Sequence, residues 1–183
     1  FNQIFKKHRL NLSQILLTLE DTEIRRRAIN AKRTLDNLFD LGFIPLVNEN
    51  DSIATSEIKY GDNDRLASRV AQISGSDCLI LLSDVDGLFD KNPKLNRNAK
   101  LISSVKEINN NIENYISKNV SEHGTGGMKT KIEAAKICQI SGCYMAIANG
   151  LINRPIKKII DANNCTWFIP KISKLDARKK WII

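Results

Sequence analysis

The chain has 183 residues, 42% hydrophobic and 26% charged, with a formal net charge of +8. That length supports one globular domain with its own core. No apolar run reaches the roughly 18 residues that cross a bilayer, and the opening FNQIFKKHRLNLSQ lacks a secretory cleavage pattern. A cytoplasmic protein without a membrane partner is therefore expected. The basic residues are spread widely, with short clusters only at Arg25–Arg27 and Arg178–Lys180. Such dispersal is a weak footprint for nucleic acid, and an anionic small substrate suits the charge equally well. The four cysteines, Cys78, Cys138, Cys143 and Cys165, form no C-x-x-C pair. Those in apolar runs, such as DCLILL and AAKICQI, read as small buried hydrophobes. With only His8 and His123 besides, metal-ligand spacing is missing and no metal-binding residue is assigned.

In chain order, FNQIFKKHRL reads as the last turns of a helix. LSQILLTLE follows as a strand, with Ile15, Leu16 and Leu17 the continuous apolar run of a strand buried on both faces. Asp21 is placed to cap the next helix. There Ile24, Ala28, Ile29, Ala31, Leu35, Leu38 and Phe39 recur at helical spacing until Gly42 stops it. FIPLVNE is a second buried strand that runs into the polar NEND, Asn48 to Asp51. A further polar cluster, YGDND, opens a helix over residues 65–73 closed by Gly75. The strongest strand is Cys78 to Leu82, ending in SDVDG. DKNPKLNRNAK, with Pro93, is a surface hairpin or excursion. LISSV is a short strand, and EINNNIENYISK a helix. HGTGGMKTKIEAAKICQISG is a glycine-rich loop opening a helix that ends at Gly142. CYMAIANG is a strand, IKKIIDANN a short helix and CTWFI a last strand. Alternating helices and continuously apolar strands specify an α/β fold, a three-layer αβα sandwich on a mostly parallel central sheet.

The polar clusters follow strands, where ligands of open α/β sheets bind. GTGGMKTK combines three glycines, a helix N-terminus and two lysines. In physical terms it is a phosphate cradle, although it matches neither the Walker A pattern nor G-x-G-x-x-G. Each cluster also has a plain structural reading. NEND can end a strand in a turn, Asp62 or Asn63 can cap a helix, and SDVDG can turn a hairpin.

Together, FIPLVNENDSIAT, EIKYGDNDRLAS, LILLSDVDGLF, GTGGMKTKIEAA and RKKWI resemble the glutamate kinase branch of the amino acid kinase family. The resemblance covers nearly the whole chain. It implies transfer of the ATP γ-phosphoryl group, with Mg²⁺, to the side-chain carboxylate of L-glutamate, the first step of proline biosynthesis. Relatives that phosphorylate acetylglutamate, aspartate or uridylate share the sheet but not this set of motifs. A basic nucleic-acid-binding module is the rival from another class, and nucleic acid is not expected. The resemblance assigns Asn48, Asp51 and Asn63 to glutamate and Asp64 to catalysis. Ser83 and Asp84 match a Thr-Asp pair at the nucleotide site, with the hydroxyl kept. Thr125, Gly126, Gly127, Met128, Lys129, Thr130 and Lys131 match the ATP loop. Lys131 is the lysine that neutralises the transferring group, while Lys129 stands where a small polar residue is usual. A homo-oligomer and a glutamyl-phosphate reductase partner are implied as well. So is a partial kinase domain over residues 1–183, starting after the first strand and phosphate loop and lacking a PUA domain. Such a polypeptide is expected to be inactive by itself.

Overall fold

The computed structural model describes residues 1–50, 62–93, 95–109, 112, 127–162 and 164–177. The chain folds as two compact units, residues 1–59 and 60–183.

The first unit holds α1 (Asn2–Lys7), β1 (Asn11–Leu17), α2 (Leu19–Glu23), α3 (Arg25–Asp40) and β2 (Phe43–Glu49). β1 and β2 pair in parallel, from Asn11 opposite Phe43 to Leu17 opposite Glu49. A parallel pair needs a crossover, which α2 and α3 supply. Ala28, Ala31 and Leu35 are the buried stripe of α3, as the helical spacing predicts. Ile24 and Phe39, assigned to the same stripe, are exposed instead. Asp21 does not cap a single long helix. The N-cap is Thr18, whose hydroxyl accepts from the Asp21 backbone N–H, while the Asp21 carboxylate accepts from the Thr18 backbone N–H at 2.8 Å. This reciprocal box opens the short α2, which ends at Glu23, and α3 starts anew at Arg25.

The second unit contains α4 (Asp62–Ser74), β3 (Cys78–Ser83), β4 (Ser104–Val105), α5 (Met128–Ile140), β5 (Tyr144–Asn149), α6 (Pro155–Ala162) and β6 (Cys165–Phe168). Its four strands lie in the order β3-β5-β6-β4. β3–β5 and β4–β6 are parallel, and β5–β6 is antiparallel. Pairing is thus mostly parallel, as expected. The alternation of side chains explains the layers. Leu81, Met145, Ile147 and Phe168 join Ala71, Ile132, Ala135 and Cys138 in a core under α4 and α5. Ala148 and Cys165 face the other way and pack with Ile159 of α6. Helices on both faces make this unit an αβα sandwich.

Several expectations shift in detail. α4 begins three residues before the predicted start, because Asp62, Asn63 and Asp64 are its first turn rather than a loop before it. LISSV contributes only Ser104–Val105 to the sheet, as its beginning turns back as a hairpin. Leu101 bridges Phe89 there, and the Ile102 N–H donates to the Leu88 carbonyl at 2.8 Å. The surface excursion after SDVDG is therefore hairpin-like, as read. All four cysteines are free, but Cys78 is exposed, contrary to its apolar context. It stands at the start of β3, an edge strand. Cys138, Cys143 and Cys165 are buried. The hydrogen bond with the Cys143 thiol, together with burial, pushes the Cys138 thiol well up from its ordinary value. The predicted helix EINNNIENYISK lies largely outside the described residues.

Two buried polar side chains fasten the sandwich. Gln139 donates to the carbonyls of Val105, Lys106 and Ile169, tying α5 to the ends of β4 and β6. Thr166 donates to the Ile102 carbonyl at 2.7 Å and accepts from the Leu88 N–H at 2.8 Å. That clamp requires close approach at Gly87, where an added Cβ would lie 2.4 Å from Thr166 Oγ1 and 3.0 Å from the Thr166 backbone nitrogen. Because the obstacle includes backbone, Gly87→Ala is expected to destabilise the protein by about 2 kcal/mol in chemical denaturation. An unchanged midpoint would show that the clamp does not constrain the SDVDG turn.

Candidate functional site

The chemistry-bearing residues of the second unit converge because of element lengths and short connections. α4 spans 13 residues and is followed within three residues by β3. α5, also of 13 residues, is followed within three residues by β5. A 13-residue helix and a six-residue strand are both about 20 Å long. Each helix therefore runs back along its strand, and its N-terminus lies at the strand's carboxyl end. Asp64 and Asn63 on α4, Thr130 and Lys131 on α5, Ser83 at the end of β3 with Asp84 just after it, and Asn149 at the end of β5 share that end of the sheet.

The polar centre is Asp64. Its Oδ2 accepts from Lys131 Nζ at 3.0 Å and from Thr130 Oγ1 at 2.8 Å. The side chains of Lys131 and Asp64 are only 15% and 19% exposed, so the pair is screened far less than a surface ion pair. Within the described residues, Asp64 Oδ1 has no protein partner. α5 begins at Met128 with Gly127 as its N-cap, without a side-chain cap and without an acidic residue in the first turn. Its first N–H groups thus add positive character beside the two lysines. Lys129 is exposed on the same turn. Met128 sends its side chain into the core under α4 and α5 rather than to solvent alone.

Ser83 and Asp84 form a second polar group. The Ser83 hydroxyl donates to Asp84 Oδ1 at 3.1 Å, and the Ser83 carbonyl accepts from the Gly150 N–H at 2.8 Å. Sequence reading passed over two neighbours. Asn149 Nδ2 donates to Asp86 Oδ1 at 3.0 Å, and Asn149 Oδ1 accepts from the Leu151 N–H at 2.9 Å. The signal was present in the pattern, since both residues belong to polar strand ends, SDVDG and NG. Their pairing depends on the β3–β5 register, which sets Ser83 opposite Asn149.

Asn48 is exposed near the end of β2, in the first unit. Asn63 is exposed in the first turn of α4. Asp51, Thr125 and Gly126 lie outside the described residues. Among the described residues, no group of three or more His, Cys, Asp or Glu side chains could hold a metal ion, and no helix is long and apolar enough to cross a membrane.

The sequence profile of the Amino acid kinase family matches residues 1–149. The chain is 74% identical over 183 residues to a protein named glutamate 5-kinase from Pelagibacter ubique, covering all of this chain and 50% of that protein. It is 49% identical over 182 residues to a glutamate 5-kinase from Nitrobacter hamburgensis, covering 48% of that protein. The chain thus spans about half the length of the curated relatives it matches. Among solved structures, UMP kinase from Ureaplasma parvum superposes with a TM-score of 0.59 at 15% identity, over 91% of this chain and 63% of that one. An isopentenyl phosphate kinase from T. acidophilum gives 0.55 at 18% identity, over 91% and 63%. At these identities the likeness is one of fold.

The half-buried pair makes an energetic prediction. Lys131→Met, Asp64→Ala and the double variant should show a coupling of about 1–2 kcal/mol in a denaturation cycle. Additive effects would mean that the two charges do not hold each other in solution.

Proposed function

The chain belongs to the amino acid kinase family, and from that premise we propose that its protein transfers the γ-phosphoryl group of ATP to the side-chain carboxylate of L-glutamate. The products are γ-glutamyl phosphate and ADP. The observation that carries this reading is the Asp64–Lys131 pair at the joined N-termini of α4 and α5, where Gly127 is the N-cap of α5. The choice of glutamate rests on the names of the relatives described above.

Phosphoryl transfer demands positioning and charge neutralisation more than covalent chemistry by the protein. The glutamate carboxylate is already ionised near neutral pH, so it needs no general base. One of its oxygens forms the new bond to the γ-phosphorus, while the bond from that phosphorus to the β,γ-bridging oxygen breaks and ADP departs. Two anions must meet for this to happen. Lys131 supplies positive charge at the transferring group, and the first N–H groups of α5 supply more. Asp64 holds the lysine in place through Oδ2. Ser83 at the end of β3 and Asp84 next to it, already hydrogen-bonded to each other, belong to the nucleotide side of this proposal, with Thr125, Gly126, Gly127 and the first two residues of α5, Met128 and Lys129. Asn48, Asp51 and Asn63 are the glutamate-binding residues of this proposal, with Asp51 suited to the substrate ammonium.

The donor set fits a magnesium ion carried by the nucleotide. Magnesium in kinase sites is bound chiefly by phosphate oxygens and water, with one or two carboxylates. Asp64 Oδ1 is a protein oxygen that could hold it or its water, and the ion would neutralise charge on the phosphates. The product, an acyl phosphate, is labile. A reductase that consumes it, as in proline biosynthesis, is the partner this chemistry calls for.

Hydroxylamine trapping reads the reaction directly, because it converts an acyl phosphate to a hydroxamate. The natural polypeptide that carries these residues should form hydroxamate with ATP and glutamate, but not with aspartate. N-acetylglutamate and UMP should be phosphorylated poorly or not at all. Asp64→Ala should lower kcat about a hundredfold or more with little change in nucleotide affinity, and Asp51→Ala should mainly raise the KM for glutamate. Turnover of another of these substrates with glutamate idle would refute the assignment.

A further inference from the structure

Thr130 is the third residue of α5, and its Oγ1 lies 2.8 Å from Asp64 Oδ2 and 3.0 Å from the Gly127 carbonyl oxygen. A hydroxyl carries one proton, so it donates to one acceptor at a time. The local choice for a helical threonine is the carbonyl three residues back, here Gly127. The carboxylate is the nearer acceptor and the stronger one, because it is ionised. Of these two, Asp64 is the favoured acceptor of the proton, across a sequence separation of 66 residues.

Lys131 donates to the same oxygen. Oδ2 thus receives two donors from consecutive residues of one helix turn. These bonds fix both the rotamer of Asp64 and the rotation of its carboxylate. Lys131 alone could not do so, since its four-carbon stem follows the carboxylate wherever it turns. With its proton committed to Asp64, Thr130 cannot also donate to a phosphate oxygen. The sequence resemblance had counted this residue among those that bind ATP.

We propose that Thr130 is a positioning residue: its hydroxyl locks Asp64 Oδ2, and so holds the Lys131 ammonium at the point of phosphoryl transfer, without binding the nucleotide. This inference rests on the kinase reading of the site, and deepens it. The bond is charge-assisted and half-buried, so its loss should be felt at the transition state, where the lysine must be in place.

Thr130→Val keeps the shape of the side chain and removes the hydroxyl, while Thr130→Ser keeps the hydroxyl. Both are made in the natural polypeptide that carries these residues, and MgATP binding is measured by calorimetry without glutamate. Thr130→Val should bind MgATP within about twofold of wild type yet lose about tenfold in kcat, and Thr130→Ser should recover most of that loss. Nucleotide binding weakened tenfold with kcat retained would make Thr130 a nucleotide ligand and overturn the proposal. An unchanged kcat would overturn it as well. A second readout is independent of turnover. Thr130→Val should lower thermal stability in the wild-type background but not in Asp64→Ala. Equal losses in both backgrounds would remove the bond from the account even if glutamate proved to be the wrong substrate. Conversely, a wild-type protein that binds MgATP, shows this coupling and leaves glutamate untouched would refute the substrate and spare the lock.

Discussion

Parallel pairing of β3 with β5 sets the terms for the rest of the second unit. Two parallel strands cannot be joined by a tight turn, so the chain must cross back over the sheet. The crossover helix and the helix that precedes β3 both run against the strands. Both are about as long as the strands they cover. Their N-termini consequently arrive at one end of the sheet, the end where the strands finish. The site follows from this constraint. Asp64 and Lys131 are 67 residues apart in sequence, and they meet because α4 and α5 pack side by side over the same strands.

That end of the sheet is also the right electrostatic place for the proposed reaction. Bringing a carboxylate to a polyphosphate costs repulsion, and the chain sets opposing features there. Helix N-termini carry partial positive charge, and Lys131 carries a full one in a half-buried setting where screening is weak. A lysine held by a carboxylate is no longer a fully available cation, and this limits what a simple count of charges can say. The value of Asp64 is geometric: it costs some of the lysine's charge and in return gives it a fixed position. The overall charge of +8 plays no part in this argument, since most of those cations are far from the site in sequence and spread along the chain.

Much of the fold was legible because β3 and β5 are short apolar runs bounded by glycine or polar residues, and α3 carries a buried apolar stripe; Leu16 of β1, expected to be buried, is exposed instead. Leu81, Met145 and Ile147 are buried as the apolar runs CLILL and CYMAIA required. What the sequence could not show depended on neighbours in space. Cys78 sits in an apolar run and is still exposed, because β3 is an edge strand and Cys78 is its first residue. Asp21 looked like an N-cap, but the reciprocal geometry with Thr18 belongs to the residue three positions earlier. The Asp86–Asn149 bond depends on strand register. The bond from Thr130 to Asp64 depends on how α4 and α5 are rotated against each other, which no local pattern encodes. Motif resemblance named both Asp64 and Lys131, and the structure joins their side chains in an ion pair. It did not distinguish Thr130, which binds the carboxylate, from the loop residues around it.

The proposed mechanism places the Asp64–Lys131 pair at the transferring phosphoryl group. It is tested most directly by a crystal structure of the natural polypeptide with L-glutamate, Mg²⁺ and a nonhydrolysable ATP analogue. The expected result is a γ-phosphate oxygen within hydrogen-bond distance of Lys131 Nζ, with Asp64 still bonded to that lysine and to Thr130. A nucleotide whose γ-phosphate lies away from the N-terminus of α5, with the pair intact and untouched, would contradict it.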